Sequence, residues 1–195
     1  MILKATNITT LTDARYFAAK GVDYLGFNVE QSSPNCISPE AMRAIVEWVQ
    51  GPVIVGDFAH TPLPVVKALA EKHGLSAVQV TLQHREDLPM LAGMEIFLDL
   101  RDHALSPEAL YDFLASFRSL FHYVVLDSQQ VLSAGDWRAV CAQYAVILHT
   151  DTPEKTPAEA IRALGAAGVS IGGGAEDQTG VKSFDETDDF IDALI

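Results

Sequence analysis

The sequence predicts a small (β/α)8 barrel, because eight short apolar, β-prone segments alternate with longer segments of helical periodicity. This alternation is typical of parallel strands joined by crossover helices, and 195 residues lie near the lower end of the length range of such barrels. An open, doubly wound sheet usually carries a glycine-rich turn after its first strand, whereas the glycine cluster of this chain follows the last strand. We therefore expect the closed barrel rather than the open sheet.

The expected strands are short runs rich in apolar, β-branched and aromatic residues. No linker or low-complexity tract separates one part of the series from another, so we predict a single domain over residues 1–195. In chain order the expected strands are Ile2–Thr6, Tyr24–Asn28, Val53–Phe58, Ala77–Val80, Glu95–Leu100, Tyr123–Leu126, Ala145–His149 and Val169–Ile171.

Four of the expected helices have side-chain caps at their starts. Thr10 followed by Asp13 resembles a capping box. Ser38, Ser106 and Thr156 each precede a proline, a residue that suits the first position of a helix. These signals place helices after the first, second, fifth and seventh strands.

The fourth and sixth crossovers carry weaker helix signals. The segment from Gln83 to Gly93 is short and contains Pro89, which a helix interior does not tolerate well. The segment SAGDWRAVCAQY supports only about two helical turns. We expect the fourth and sixth helices to be weak or shortened.

The charge of the chain limits its partners. A formal net charge of −13 and a pI near 4.7 argue against nucleic acid or an anionic membrane as a partner, because like charges repel. Cys36 and Cys141 lie far apart and lack metal-ligand spacing, so we expect neither a disulfide framework nor a metal site, and no cofactor. No secretion signal or long apolar segment is visible, which predicts a cytoplasmic protein.

Candidate catalytic residues lie where the expected strands end, which is where barrel enzymes keep their chemistry. Asp127 is the best acid–base candidate, since a carboxyl that loses hydration at the barrel mouth can hold a proton to donate; the alternative is an aspartate that caps the following loop. His149, or His60 close to Asp57, could serve as a base, although a lone histidine is more often a loop residue. Asp57 and Asp99 share the strand-end position, and repulsion among carboxyls would favour a raised pKa or a bound cation.

The glycine run at Gly172, Gly173 and Gly174 is the candidate phosphate site. Without side chains, the backbone can approach a ligand and present its N–H groups to phosphate oxygens, and barrels commonly bind phosphate near strands seven and eight. The alternative is a flexible turn before the last helix. The site predicts a small phosphorylated molecule as the ligand.

Five segments occur in an order and spacing typical of one enzyme family. They are LKATNITTLTDARYFAAKGVDYLGF, SSPNCISPEAMRAIV, AVQV, VVLDS and GVSIGGGAEDQTGVK. In these segments the chain resembles the phosphoribosylanthranilate isomerase family of tryptophan biosynthesis, whose members open with Lys-Ile-Cys-Gly-Ile-Thr and carry a Ser-Pro-Arg loop. The resemblance extends over nearly the whole chain and implies an isomerase with a barrel fold.

The resemblance also implies a reaction and residue roles. Family members carry out an Amadori rearrangement, in which the ribose ring of an N-ribosyl anthranilate is opened by protonation and the C2′ proton is then removed. Asp127 corresponds to the general acid, Gly172–Gly174 correspond to part of the phosphate site, and Gln79 corresponds to a residue that the family also has and is expected to bind substrate. The resemblance thus assigns the acid and the phosphate site to the same residues as the strand-end positions do.

Other positions depart from the family pattern. Thr6 stands at the position of the cysteine that is the general base, Asn7 at the glycine after it, and Asn35 at the substrate-binding arginine. A threonine hydroxyl is too weak an acid to replace a thiolate base alone, and Asp151 places a negative charge where a Gly-Gly pair is expected.

Two hypotheses follow from these departures. The first is an isomerase, a monomer or homodimer, whose base has moved to His149 or Asp57. The second is a catalytically inactive relative that binds a small phosphorylated ligand or a protein partner.

Overall fold

The structure, a computed structural model, describes residues 1–33, 35–173 and 183–194. Eight parallel strands follow one another in sequence order, and the eighth pairs with the first, which closes the barrel. The prediction of a (β/α)8 barrel is confirmed, and the open sheet is excluded. The strands are β1 (Ile2–Thr6), β2 (Tyr24–Asn28), β3 (Val53–Phe58), β4 (Ala77–Thr81), β5 (Glu95–Asp99), β6 (Tyr123–Asp127), β7 (Val146–Thr150) and β8 (Gly168–Gly172).

The first three strands have the predicted bounds; β4, β5 and β6 differ from the prediction by one residue at one end, and β7 and β8 by one residue at both ends. β4 and β6 each continue one residue further than expected, because the backbone ladder pairs Thr81 with Asp99 and Asp127 with His149. Ladder hydrogen bonds use backbone groups, so a polar side chain at a strand end does not stop the pairing. The polarity that marks these residues as functional candidates is therefore a poor guide to where the strand ends.

The described residues also form eight α-helices around the barrel. The predicted caps at Thr10, Ser38 and Ser106 are confirmed, since each side-chain oxygen accepts a hydrogen bond from a backbone N–H of the first turn. The predicted cap at Thr156 is wrong, because its hydroxyl bonds the Thr152 carbonyl at 3.0 Å instead. The helices are α1 (Leu11–Ala19), α2 (Pro39–Val46), α3 (Leu63–His73), α4 (Pro107–Ala115), α5 (Ser128–Ser133), α6 (Arg138–Gln143), α7 (Ala158–Leu164) and α8 (Asp185–Leu194).

The fourth and sixth crossovers are weak, as predicted. The fourth is a 3₁₀ helix over Leu82–Leu91 with Pro89 inside it, where an α-helix would lose a hydrogen bond. The sixth is split into the short helices α5 and α6, and Gly135 lies between them with a φ of 88°. Glycine tolerates this left-handed conformation, which lets the chain turn between the two helices.

Successive residues of each strand point alternately outward to the helices and inward to the barrel interior. The outward set joins the helices in one large core, whereas the interior of the barrel holds a separate apolar cluster. At the amino ends of the strands, the Tyr24 hydroxyl donates to Glu95 at 2.9 Å and lies 3.2 Å from the Tyr123 hydroxyl. These side chains close that end of the barrel interior. The interior cluster comprises Tyr24, Val55, Ala77, Phe97, Val125 and Ile147.

Within the described ranges, no helix is both long enough and apolar enough to cross a bilayer.

Candidate active site

The barrel interior changes from apolar to polar towards the carboxyl ends of the strands. Two residues beyond the apolar cluster, the inward-facing position carries a polar or charged side chain on every strand except β2, where it is Gly26. We call these residues the strand-end layer, and six of them are almost completely buried. The layer consists of Lys4 and Thr6 on β1, Asp57 on β3, Gln79 on β4, Asp99 on β5, Asp127 on β6, His149 on β7 and Ser170 on β8.

Thr6 and Asp57 form the closest contact in this layer. The Thr6 hydroxyl donates to Asp57 Oδ2 at 2.6 Å, and Lys4 Nζ donates to the other oxygen of the same carboxylate at 3.2 Å. The contact passes over β2, where Gly26 has no side chain: a Cβ there would lie 2.8 Å from Asp57 Oδ2 and 3.0 Å from Thr6 Oγ1. The glycine on β2 therefore makes room for a threonine–carboxylate pair at the barrel mouth.

The hydrogen bonds continue from Lys4 across the barrel. Lys4 Nζ also donates to Gln79 Oε1 at 2.7 Å, and Gln79 Nε2 donates to Asp99 Oδ2 at 2.8 Å. Arg101, in the loop after β5, donates to both carboxylate oxygens of Asp99 at 2.7–3.1 Å. Gln79, which was predicted to bind substrate, thus uses both ends of its amide to join the two charged pairs.

The pKa shifts in this network follow from burial and pairing. Burial alone would raise the pKa of Asp99, but the hydrogen bonds and charge of Arg101 outweigh it and lower that pKa. Burial lowers the pKa of Lys4, and the Asp57 carboxylate only partly opposes this effect. The expectation that crowded carboxyls would raise a pKa or bind a cation is wrong for Asp99, because a guanidinium neutralises it.

Asp127 lies half-buried at the end of β6 and caps α5. Its Oδ1 accepts a hydrogen bond from the Gln130 backbone N–H at 2.8 Å. The other carboxylate oxygen of Asp127, Oδ2, makes no hydrogen bond to any residue that the structure describes. The interpretation of Asp127 as a cap is confirmed, whereas its role as a general acid stays a prediction.

His149 lies buried between Ser170 and Asp151. Its Nδ1 is 3.4 Å from the Ser170 hydroxyl, and its Nε2 is 3.2 Å from Asp151 Oδ1, a distance suited to an ion pair when the ring is protonated. Contact with His149, helped by the charge of Arg101, lowers the pKa of Asp151 although burial opposes it. Asp151 thus lies at the rim as an anion beside its histidine.

The candidate phosphate site borders this rim. A Cβ on Gly172 would overlap Asp151 Oδ1, so the Asp151 carboxylate fills the space beside that glycine. The Gly173 N–H donates to the Thr6 carbonyl at 2.8 Å, and Gly174 lies outside the described residues. The phosphate site at these glycines stays a prediction, in which the Gly173 amide already has a partner.

Asn7 follows Thr6 with a φ of 56°, in the left-handed region. Asparagine is one of the few residues other than glycine that adopt this region readily. The departure from the family's glycine at this position therefore keeps a backbone conformation that glycine allows.

Two of the sequence candidates lie away from the strand-end layer. Asn35 is exposed in the loop after β2, where its backbone N–H donates to Ser33 Oγ. His60 is exposed, and its backbone N–H donates to Glu30. Neither side chain contacts the layer within the described residues.

Glu30 organises the loops after β2 and β3, and sequence reasoning missed it. Its Oε2 accepts hydrogen bonds from the backbone N–H groups of Ala59, His60 and Thr61 and from the Thr61 hydroxyl, at 2.8–3.2 Å. Burial alone would raise the pKa of Glu30, but these donors outweigh it and lower the pKa from 4.5 to about 2. A single acidic residue in a polar loop gives no sequence signal for such a role.

Removing the Glu30 charge is expected to make stability depend less on pH. Because the folded pKa lies below the unfolded one, the carboxylate stabilises the protein above about pH 4.5, and this contribution is lost as the pH falls towards about 2. We expect Glu30→Gln to lower the free energy of unfolding by about 2 kcal/mol at neutral pH, with the difference from wild type shrinking in acid. Urea unfolding at several pH values measures this.

The matched control for this experiment is Glu71→Gln, at an exposed position on α3. We expect it to change stability by less than about 0.5 kcal/mol. A Glu30→Gln deficit that stays constant from neutral pH to pH 3 would show that the carboxylate charge is not the cause.

Across the described residues, no three histidine, cysteine, aspartate or glutamate side chains converge as a metal site requires.

Comparison with known proteins identifies the family. A family model described as N-(5'phosphoribosyl)anthranilate (PRA) isomerase matches residues 3–193. The N-(5'-phosphoribosyl)anthranilate isomerase of Pelobacter propionicus is 27% identical over 201 residues, which cover 97% of this chain and 93% of that protein. The isomerase of Citrifermentans bemidjiense is 37% identical over 93 residues, a match that spans 47% of this chain and 44% of the relative.

The fold gives the same result. The crystal structure of phosphoribosyl anthranilate isomerase from Thermus thermophilus superimposes with a TM-score of 0.78 at 25% identity, covering 100% of this chain and 98% of that one. Since the family model matches nearly the whole chain, the chain belongs to the N-(5'-phosphoribosyl)anthranilate isomerase family.

Proposed function

We propose that this protein catalyses the Amadori isomerisation of phosphoribosylanthranilate, with Asp57 as the general base and Asp127 as the general acid. The observation that carries the proposal is the 2.6 Å hydrogen bond from the Thr6 hydroxyl to Asp57 Oδ2. It brings a carboxylate to the end of β1, where the family resemblance places a cysteine base. The lost thiol is thus replaced by a different basic group rather than by none.

In the proposed reaction, Asp127 donates a proton to the ribose ring oxygen, and the C1′–O bond breaks to give an imine. Asp57 then removes the C2′ proton, and the electron pair moves to form an enolamine. The enolamine takes a proton at C1′, and its C2′ hydroxyl gives up a proton as the ketone forms. Two protons are thus taken up and two released, so substrate and product have the same composition. Asp57 and Asp127 lie on β3 and β6, so the two groups face the ligand from different sides of the barrel mouth.

Asp57 is the better of the two bases that the sequence allows. Each carboxylate oxygen has two lone pairs, and Asp57 uses one on Oδ2 for Thr6 and one on Oδ1 for Lys4, so that one on each oxygen is left to accept a proton. His149 is buried, and its ring nitrogens lie next to Ser170 and Asp151. The absent cysteine, which motivated the inactive-relative hypothesis, is accounted for by Asp57.

The class of ligand, the cellular location and the oligomeric state belong to the same proposal. We propose a small phosphorylated substrate and a cytoplasmic protein that acts as a monomer or homodimer. The family is one of biosynthetic enzymes that act on such a molecule, and the net charge of −13 opposes binding to nucleic acid or anionic membranes.

The test is turnover of phosphoribosylanthranilate by the purified protein, with the ketose product measured by chromatography. We expect wild type to turn over this substrate and Asp127→Asn to lower kcat about 100-fold. Asparagine caps helices as well as aspartate does, so the variant keeps the bond to the Gln130 N–H while losing the proton.

The control is Asp112→Asn, at an exposed position on α4, which should keep wild-type kcat. Rescue of a tryptophan auxotroph that lacks the isomerase provides a second readout. Wild-type protein that neither turns over the substrate nor rescues the strain would overturn the proposed function.

A further inference from the structure

We infer that Arg101 binds the carboxylate on the aromatic end of the substrate, an inference that rests on the proposed function. Arg101 lies in the loop after β5, and its side chain is 31% exposed at the barrel mouth. The substrate class carries two anionic groups, a phosphate and an aromatic carboxylate. A cation at the mouth with unused donors is the group that such a carboxylate requires.

The donors of Arg101 are only partly used. A guanidinium has five N–H donors in two planar forks. Asp99 takes the fork formed by Nε and Nη2, at 2.9 Å and 2.7 Å to its two oxygens. Nη1 makes no hydrogen bond to any residue that the structure describes. The second fork, formed by Nη1 and the remaining proton of Nη2, is therefore open to a ligand.

Asp99 also fixes the direction of that open fork. The Asp99 carboxylate bonds the guanidinium on one side and accepts from Gln79 Nε2 on the other. A planar group held at two atoms loses little further freedom when it binds a second carboxylate. The pair therefore presents a pre-oriented cation.

The other cations near the mouth are unsuited to this role. Lys4 is fully buried and bonded to Asp57 and Gln79. Lys155 and Arg85 each lie within 4 Å of an adjacent glutamate on the surface. Of the lysines and arginines in the described ranges, Arg101 is the one that combines an exposed side chain with an ion pair to the layer, through Asp99.

The position of Arg101 favours the carboxylate over the phosphate. The predicted phosphate site is at the end of β8, and β5 lies three strands away in a ring of eight. The aromatic ring and the phosphate extend from opposite ends of the pentose. A substrate with its phosphate at β8 and its sugar between Asp57 and Asp127 points its aromatic end across the mouth, towards the side of β5.

The experiment compares wild type and two variants on two substrates. The substrates are phosphoribosylanthranilate and its aniline analogue, which lacks the carboxylate. We expect Arg101→Met to raise KM about 30-fold for the first, with kcat within about threefold, and to leave KM for the analogue unchanged. Arg101→Lys keeps a charge beside Asp99 but loses the fork, so about a tenfold rise in KM is expected.

The matched control is Lys155→Met, which removes a surface charge at the same end of the barrel and should leave KM unchanged. An equal loss on both substrates would assign Arg101 a structural role and overturn the inference. A third substrate, which keeps the carboxylate but lacks the phosphate, tests the other anionic group. If the rise in KM caused by Arg101→Met disappears with this substrate but not with the aniline analogue, Arg101 contacts the phosphate, and the inference is equally overturned.

A binding measurement separates this inference from the proposed function. The ketose product becomes unreactive when its ketone is reduced to an alcohol. Calorimetry with this reduced compound and with its counterpart lacking the carboxylate makes the same comparison without turnover. Wild type that binds the carboxylate form more tightly, with the preference lost in Arg101→Met, supports the inference even without catalysis. Equal binding of the two compounds by wild type overturns it.

Discussion

Replacing Asp57 with asparagine is expected to lower kcat for isomerisation about a thousandfold. The effect exceeds that expected at Asp127, because water cannot remove a proton from carbon at neutral pH, whereas solvent can in part protonate a ring oxygen. Asparagine has nearly the same shape, and its amide can still bond Thr6 and Lys4, so the barrel mouth keeps its geometry. Steady-state kinetics should show KM within about threefold of wild type.

Two further variants identify the role of each group. Thr6→Val removes the hydroxyl that orients Asp57 but leaves the base, so about a tenfold loss of kcat is expected. His149→Gln tests the other base that the sequence allows and should cost less than Asp57→Asn. A thousandfold loss in His149→Gln, with near-normal kcat in Asp57→Asn, would transfer the base to His149.

Lys4→Met is expected to give the largest loss of stability, about 3 kcal/mol in the free energy of unfolding. Lys4 is fully buried, and its removal takes away the cation that donates to Asp57 Oδ1 at 3.2 Å and to Gln79 Oε1 at 2.7 Å. Among the described residues, this leaves Asp57 with only the Thr6 hydroxyl as a donor. Breaking one half of a buried ion pair costs more than the pair itself contributes, because an unneutralised charge stays in the interior. Urea unfolding followed by circular dichroism measures the loss.

The control for this prediction is Lys67→Met, at an exposed position on α3, which should change stability by less than about 0.5 kcal/mol. The double variant Lys4→Met with Asp57→Asn should regain part of the loss, because it removes the unneutralised carboxylate. If the double variant is less stable than the sum of the two single losses, the pairing explanation is wrong.

The architecture could be predicted because both kinds of element leave a periodic signal. β1, β2 and β3 have the predicted bounds, since each is an apolar run that ends at turn-forming residues. α5 was missed for a physical reason: Asp127, its N-cap, was interpreted as a catalytic acid, and six residues are too few to show helical periodicity.

The strand-end candidates could be predicted, but their contacts could not. Asp57, Asp127 and His149 were visible as polar residues that end apolar runs. Lys4 was not visible as a site residue, because strands of a parallel barrel are buried on both faces and their sequence does not show which face points inward. The bond from Lys4 to Gln79 joins residues 75 positions apart, a pairing that depends on closure of the ring.

Gly26 couples three strands at the barrel mouth. Its Cα hydrogen faces the oxygens of Thr6 and Asp57, which an added methyl group would displace. The effect of a substitution at position 26 therefore depends on which side chains stand at positions 6 and 57. The three positions, on β1, β2 and β3, are energetically non-additive, and a variant of the threonine–carboxylate pair has to be interpreted together with the residue between them.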